Sequence, residues 1–201
     1  YAQKVPTHPW RSAMTHPREL SLVKTDDGYR VQSVCVPEIQ KIATLVTSRE
    51  NVDLDSSGIV LNLQEQELYV SAIDLSASLR NAGGVTVVLE NGQGQQLAVG
   101  YDVLQGTLFI DRTKAGQSSF DSTFARIHTM EVPKSEEQVE LQLIVDKSSV
   151  EVYFNKGRGV MTDLCFPDAG WNTLRVRTPS GKAGISLQVK SLNPVWTAPV
   201  P

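Results

Sequence analysis

The sequence predicts an all-β protein: a two-sheet antiparallel β-sandwich of the lectin-like kind, with about twelve strands and an extended N-terminal connector. Two observations carry this prediction. Short segments in which apolar and polar residues alternate recur along the chain, and turn residues separate them roughly every 8–12 residues. Alternation with a period of two places one face of a strand in the core and the other in solvent, whereas a helix needs a period of about 3.6.

Residues 1–18 form the predicted connector. Pro6, Pro9 and Pro17 punctuate it, and proline disfavours helix both at its own position and at the residue before it. We therefore divide the chain into an interdomain connector over 1–18 and a β-sandwich domain over 19–201.

The clearest strands occur in pairs that are typical of β-hairpins. Residues 139–145 and 150–154 lie on either side of a Lys-Ser-Ser turn, and 97–103 and 108–112 lie on either side of a Gln-Gly turn. Only 37–45 has a helical appearance. Gly-rich or polar breaks delimit the other predicted strands, which are 19–24, 29–36, 67–77, 85–90, 123–132, 159–166, 173–178 and 185–189.

The composition restricts the classes of function. A chain of 201 residues with 40% apolar residues is long enough to bury its own core. Its 19 Lys and Arg against 22 Asp and Glu give a net charge of −3, so no nucleic-acid partner is expected. Its apolar runs are too short to cross a bilayer, so no membrane partner is expected. It lacks an initiator Met and a signal peptide, and we expect it to come from the middle or end of a longer protein.

No constellation of catalytic or metal-binding residues stands out. Asp111 is the most suggestive carboxylate because Arg112 beside it would keep it ionised. Neighbours on a strand point to opposite faces, however, so these two side chains should not converge on one substrate atom. The histidines are dispersed, with His8 and His16 in the connector and His128 on a predicted strand. The sequence therefore predicts no catalytic residue, no metal site and no cofactor.

Two residue types leave alternatives open. Cys35 and Cys165 fit either a disulfide that closes a long loop or two free thiols buried in the core. Trp171, in the loop Asp-Ala-Gly-Trp-Asn, fits either a platform on which a sugar ring stacks or a side chain that packs over the end of the sandwich. Trp196 is expected to anchor the C-terminal tail.

Three blocks of the sequence resemble a known family. The segment WRSAMTHPREL, over 10–20, is similar to the connector of glycoside hydrolase family 32, which contains invertases, inulinases and levanases. The blocks LFIDRTKAGQSSF (108–120) and VELQLIVDKSSVEVYFNKGRGVMT (139–162) resemble motifs of the C-terminal sandwich of that family. The order and spacing of the blocks agree over 5–192.

The resemblance implies a domain without chemistry of its own. In this family the catalytic aspartate, glutamate and Arg-Asp-Pro segments lie in an N-terminal five-bladed propeller, and none of their motifs is present in this sequence. The chain is therefore expected to be the non-catalytic sandwich domain of a β-fructosidase that hydrolyses fructans or sucrose, and to be inactive alone. Its expected partner is the missing propeller, which it would stabilise. The connector residues expected near the joint are Trp10, Arg11, Met14 and Arg18.

Two other functions stay open beside this one. The sandwich is alternatively a fructan-binding module, with Trp171 in contact with fructan oligosaccharides, or an oligomerisation domain that forms a homodimer. The resemblance also implies a secreted protein, but not whether the parent substrate is levan, inulin or sucrose. Without the propeller, we expect the chain to expose apolar surface and to self-associate.

Overall fold

The computed structural model describes residues 1–9, 11–25, 28–132 and 137–195. Over these ranges the chain forms two six-stranded antiparallel sheets around a shared core, and a separate two-stranded hairpin. The predicted all-β sandwich is confirmed. The strands are β1 (Arg18–Thr25), β2 (Gly28–Cys35), β3 (Ala43–Leu54), β4 (Ile59–Asn62), β5 (Ser71–Ala82), β6 (Gly84–Glu90), β7 (Gln96–Asp102), β8 (Thr107–Lys114), β9 (Ile127–Glu131), β10 (Gln138–Asp146), β11 (Ser149–Phe154), β12 (Gly159–Leu164), β13 (Thr173–Arg177) and β14 (Gly181–Leu192). Helical structure comprises 3-10 turns at Ala2–Lys4 and Pro37–Ile42 and one short helix, α1 (Glu65–Tyr69).

The strand order combines local hairpins with long-range pairings. The first sheet runs β12-β11-β10-β5-β14-β3, and the second runs β4-β13-β6-β7-β8-β9. The two predicted hairpins are present: β10 pairs with β11 around a tight turn, and β7 pairs with β8. In the second of these turns Gly106 has a φ of 68°, a left-handed conformation that glycine adopts without a steric penalty.

The core lies between the two sheets and follows from the alternation in the sequence. Leu141, Leu143 and Val145 of β10 and Val87 and Leu89 of β6 are each at most 1% exposed. Removal of one such side chain from water is worth roughly 1.5–3 kcal/mol, so these alternating positions dominate the stability of the sandwich.

Some predicted boundaries were wrong. The prediction placed a strand over 67–77, but its first residues belong to α1, and β5 starts at Ser71. The helix forms because Gln64 and Glu67 make a capping box, in which the Gln64 backbone N–H donates to Glu67 Oε2 at 2.7 Å. The prediction also missed β3 and β4, which are edge strands that expose much of their surface and so lack clean alternation.

Cys35 and Cys165 are both free and buried, which resolves the open alternative in favour of core thiols. Burial raises the pKa of the Cys165 thiol to about 12, so it is protonated at neutral pH. Within the described ranges, no helix is long and apolar enough to span a membrane, and no three metal-ligating side chains gather in one place.

Candidate interdomain site

The connector is held to the sandwich at two points, and the first is an aromatic cluster. Val5 is 4% exposed and packs among Phe120, Phe124 and Phe166. The ring of Tyr1 meets Phe124 edge-on, with a centroid distance of 5.3 Å. Edge-to-face geometry at this distance is favourable for aromatic pairs, so the beginning of the connector is fixed against the loop before β9.

Arg11 folds the connector back on itself. Its Nε donates to the carbonyl oxygen of Gln3 at 3.0 Å, and its Nη1 donates to the carbonyl of Val5 at 2.8 Å and to the carbonyl of Thr7. Three backbone carbonyls that would otherwise bind water are thus gathered by one guanidinium. Arg11 therefore fixes the shape of the connector rather than reaching outward.

The second anchor is centred on Glu151 of β11, whose side chain is only 3% exposed. The backbone N–H of His16 donates to Glu151 Oε1 at 2.8 Å, and His16 Nδ1 lies 2.8 Å from the same oxygen. Arg18 pairs with Oε2, and the hydroxyl of Tyr153 donates to Oε2 at 2.9 Å. Arg18 also donates to Thr162 Oγ1 of β12 at 2.8 Å, so this anchor joins the connector to two strands.

These contacts set the charge of each group. Burial alone would raise the pKa of Glu151, but the hydrogen bonds from His16 and Arg18 outweigh it and lower that pKa to about 2. The hydrogen bond to Glu151 raises the pKa of His16, and burial raises the pKa of Tyr153. At neutral pH the anchor is therefore a buried carboxylate compensated by a guanidinium, with a tyrosine that stays protonated.

The predicted joint residues take different places. Arg18 forms part of the second anchor, Arg11 shapes the connector, and Met14, between the two anchors, is 98% exposed. Trp10 lies outside the described residues. Sequence analysis did not single out Glu151. A signal was available, because Glu151 is a charged residue between Val150 and Val152 in a strand that is otherwise mostly apolar.

Arg112 and Asp163 form a second buried ion pair, next to the aromatic cluster of the first anchor. Arg112 is 2% exposed, its Nη1 lies 3.3 Å from Asp163 Oδ1, and His128 Nδ1 lies 2.8 Å from Asp163 Oδ2. The guanidinium also stacks over the ring of Phe124, with a centroid distance of 3.9 Å. Asp111 points elsewhere and accepts from the backbone N–H of Thr113 at 2.9 Å, as expected for neighbours on a strand.

Trp171 is a core residue. Its side chain is 2% exposed and belongs to the main hydrophobic cluster, so its ring face does not offer a stacking platform. It lines a cleft of about 230 Å³, together with Glu65 and Asp168. Its Nε1 has no hydrogen-bond partner within the described part of the chain. Of the two alternatives for this residue, packing fits the geometry.

A larger groove of about 380 Å³ crosses the outer face of the first sheet. On its floor Asp74 accepts from Gln142 Nε2 at 2.9 Å. Lys190 Nζ donates to the other Asp74 oxygen at 2.8 Å. Val34 of β2 and Lys156 line its wall. This groove offers the fixed polar groups of Asp74 and Gln142 to a solute.

Comparison with known proteins identifies this arrangement. The sequence profile described as "Glycosyl hydrolases family 32 C terminal" matches residues 38–193. The chain is 33% identical over 199 residues to a levanase of Bacillus subtilis, of which it spans 29%, and 31% identical over 207 residues to an extracellular exo-inulinase of Aspergillus niger, of which it spans 37%. Both alignments cover 98% of this chain.

Solved structures agree with the sequence comparison. The crystal structure of the exo-inulinase from Aspergillus awamori superposes with a TM-score of 0.87 at 28% identity, over 98% of this chain and 39% of that one. A fructofuranosidase from Schwanniomyces occidentalis, at 20% identity and a TM-score of 0.78, shares the fold. The chain thus spans well under half the length of these relatives, and it belongs to glycosyl hydrolase family 32, as the C-terminal sandwich domain of that family.

Proposed function

We propose that this chain is the non-catalytic sandwich domain of a secreted β-fructosidase acting on fructans or sucrose, and that it stabilises a catalytic propeller preceding it. Family membership supports the first part, since the relatives are levanases and exo-inulinases that extend well beyond the matched region. The extracellular exo-inulinase among them supports secretion. We keep the division into a connector over 1–18 and a sandwich over 19–201.

The observation that carries the stabilising role is the double anchoring of the connector. Val5 and the Glu151 anchor hold its two ends on the sandwich, so the chain leaves in a fixed direction. A flexible linker would let two domains move independently, whereas a fixed connector makes them one mechanical unit. Arg11, Arg18 and the fully exposed Met14 lie on this connector, and with Trp10 they are the residues we assign to the joint.

The carboxylates of the described residues support a role without catalysis, because the buried ones and the carboxylate that the sequence made most suggestive are engaged in structural contacts. Glu151 is paired with Arg18, Asp163 is paired with Arg112, and Asp111 accepts from the backbone N–H of Thr113. A glycosidase of the usual kind needs two carboxyl groups on either side of one sugar bond.

The test measures reducing-sugar release from sucrose, inulin and levan. It uses the 201-residue chain alone, the separately produced propeller, and the two mixed. We expect no activity from the chain, and a propeller whose half-life at elevated temperature lengthens when the chain is added. Activity of the chain alone would refute the assignment as non-catalytic, and an unchanged half-life would refute the stabilising role.

A second candidate function is fructan binding, which the groove over the first sheet favours. Its floor presents Asp74 and Gln142, which are hydrogen-bonded to each other, and Lys190 Nζ holds the second Asp74 oxygen; such fixed polar groups suit sugar hydroxyls. Isothermal titration with inulin and levan oligosaccharides tests it, with Asp74→Ala as the groove variant and Trp171→Phe as a variant at the sandwich end. Saturable heat that Asp74→Ala abolishes would support binding in the groove, and no heat at millimolar sugar would exclude it.

A further inference from the structure

The hairpin of β1 and β2 stands apart from both six-stranded sheets. Its strands pair over their full length, from Arg18 opposite Cys35 to Thr25 opposite Gly28. The sandwich holds only its base, where the Ser33 N–H donates to the carbonyl of Gly157 at 3.0 Å. From there the hairpin extends into solvent, and most of its residues are exposed on both sides.

One face of this hairpin is apolar. Leu20 and Leu22 of β1 are 67% and 66% exposed, and Tyr29 and Val31 of β2 are 63% and 62% exposed. Leu22 lies directly opposite Val31 in the register, and side chains two residues apart share a face, so all four lie on the same side. We name these four residues the hairpin face.

A hairpin of this kind is an incomplete structure. Two paired strands without a third layer are marginally stable in water. Four large apolar side chains on one face also make a coherent patch, whereas single exposed apolar residues are normal on a protein surface. The other strongly exposed apolar residues of the described ranges are dispersed: Tyr1 and Met14 in the connector, Leu45 on β3, Val60 on β4, Leu104 in the turn after β7, Ile127 on β9 and Val195 after β14.

The position of the hairpin identifies what covers it. The connector ends at the Glu151 anchor, and the hairpin face starts at Leu20, two residues after Arg18. Arg18 and Cys35 are paired at the base of the hairpin, and each is an even number of residues from the hairpin-face residues of its strand, so both point to the same side as that face. Both contact the sandwich around Tyr153. The start of the connector is close by, because the Tyr1 hydroxyl lies 3.5 Å from Arg112 Nη2 and Arg112 pairs with Asp163 of β12. Asp163 directly follows Thr162, to which Arg18 donates. A domain that precedes Tyr1 is therefore attached close to the base of this hairpin. The relatives have such additional length, since this chain spans 29% of the Bacillus subtilis levanase and 39% of the Aspergillus awamori exo-inulinase.

We propose that the hairpin face is the docking surface for the catalytic domain of the full-length polypeptide. This rests on the proposed function, because it specifies where the stabilising contact is made. The catalytic domain supplies the missing layer, covers Leu20, Leu22, Tyr29 and Val31, and thereby orders the hairpin. The connector anchors set the direction, and the hairpin face supplies the apolar contact.

The test compares three versions of the full-length polypeptide: the parent, the double variant Leu22→Thr/Val31→Thr, and the control Leu45→Thr. Threonine retains a β-branched side chain suited to a strand while removing apolar area. Leu45 is a matched control because it is 58% exposed on β3, away from the hairpin. The readouts are the midpoint of calorimetric unfolding and the rate of limited proteolysis within the connector.

We expect the double variant to lower the unfolding midpoint by at least 5 °C and to speed connector cleavage at least tenfold, while Leu45→Thr matches the parent. The same double variant in the 201-residue chain should leave its denaturation midpoint unchanged, which excludes a general folding defect. A double variant that behaves like Leu45→Thr in the full-length polypeptide would overturn the proposal.

A deletion of the sandwich separates this proposal from the function on which it rests. If deletion leaves the catalytic domain as stable as before, the stabilising role itself is refuted. If deletion destabilises the catalytic domain but the double variant does not, only the assignment of the hairpin face as the docking surface is refuted. If the double variant abolishes self-association of the full-length polypeptide without changing its unfolding midpoint, the hairpin face is a contact between copies, and the proposal is overturned.

Discussion

Substitution of Glu151 by glutamine tests the electrostatic account of the second anchor. The pKa of this carboxyl falls from 4.5 to about 2 on folding, because the hydrogen bonds from His16 and Arg18 outweigh the cost of burial. At about 1.4 kcal/mol per pKa unit, this depression corresponds to a stabilisation on the order of 3 kcal/mol at neutral pH. Glutamine keeps the shape but leaves Arg18 without its counter-charge, so we expect a loss of about 3 kcal/mol in the free energy of unfolding.

The pH dependence gives the sign of the effect. A carboxyl whose folded pKa is lowered stabilises the protein above its unfolded pKa of about 4.5. That stabilisation is lost as the pH falls from there towards 2. His16 acts in the opposite sense, since its raised pKa gives stability that is present below pH 6.5 and lost as the pH rises through the folded pKa. The parent should therefore lose stability between pH 5 and pH 3 more steeply than Glu151→Gln.

Urea unfolding followed by far-UV circular dichroism at pH 7, 5 and 3 measures this difference. Glu140→Gln is the matched control: this side chain is 51% exposed, and its oxygen lies 3.8 Å from Lys156 Nζ, so the change should cost under about 0.5 kcal/mol. The reasoning is refuted if Glu151→Gln is as stable as Glu140→Gln at pH 7, or if both variants follow the parent between pH 5 and pH 3.

Three further outcomes are expected. Arg112→Met should lower the free energy of unfolding by about 3 kcal/mol, because it leaves the buried carboxylate of Asp163 without its guanidinium; a loss below about 1 kcal/mol in urea would contradict this. Gly157→Ala should lower the thermal midpoint well beyond Gly94→Ala. Both glycines have positive φ, 80° and 76°, but only the first places a new Cβ 2.0 Å from a backbone oxygen of β2; equal shifts would contradict the contact. Cys165 should not react with a thiol reagent at pH 8 until the protein unfolds, and fast labelling of the native chain would show that it is accessible.

The parts of the fold that the sequence predicts are those in which local pattern and tertiary environment agree. In β10, alternate residues such as Leu141 and Leu143 face the core, so a period of two is visible without knowledge of the neighbours. The strand β3 lies at the edge of its sheet and exposes Arg49, Glu50 and Asn51 in succession. Its place is set by pairing with β14, a partner more than a hundred residues away, and no local pattern reports such pairing.

The candidate site was less predictable for the same reason. Arg18 could be selected because it stands in a segment that resembles the connector of the family, but its partner Glu151 is 133 residues distant. An ion pair between residues so far apart becomes visible only when β11 and the connector are seen side by side. Likewise, the sequence around Trp171 would be the same whether its ring were buried or exposed as a sugar-binding platform. Only the packing of the sandwich shows that the ring is buried.

The location of β14 has a consequence for the synthesis of this protein. Among the strands of the described residues this one, Gly181–Leu192, is the last in sequence, but it lies inside its sheet, between β3 and β5. Until it has emerged from the ribosome, β5 lacks one of its neighbours, and β3 lacks the strand that joins it to the sheet. A nascent chain in this condition carries unpaired strand edges beside exposed apolar side chains, a combination that favours aggregation. The sandwich must therefore close after translation of its final strand, and slowly, because its pairings are remote in sequence. A premature stop before Gly181 would leave an open sheet for the quality-control machinery to remove.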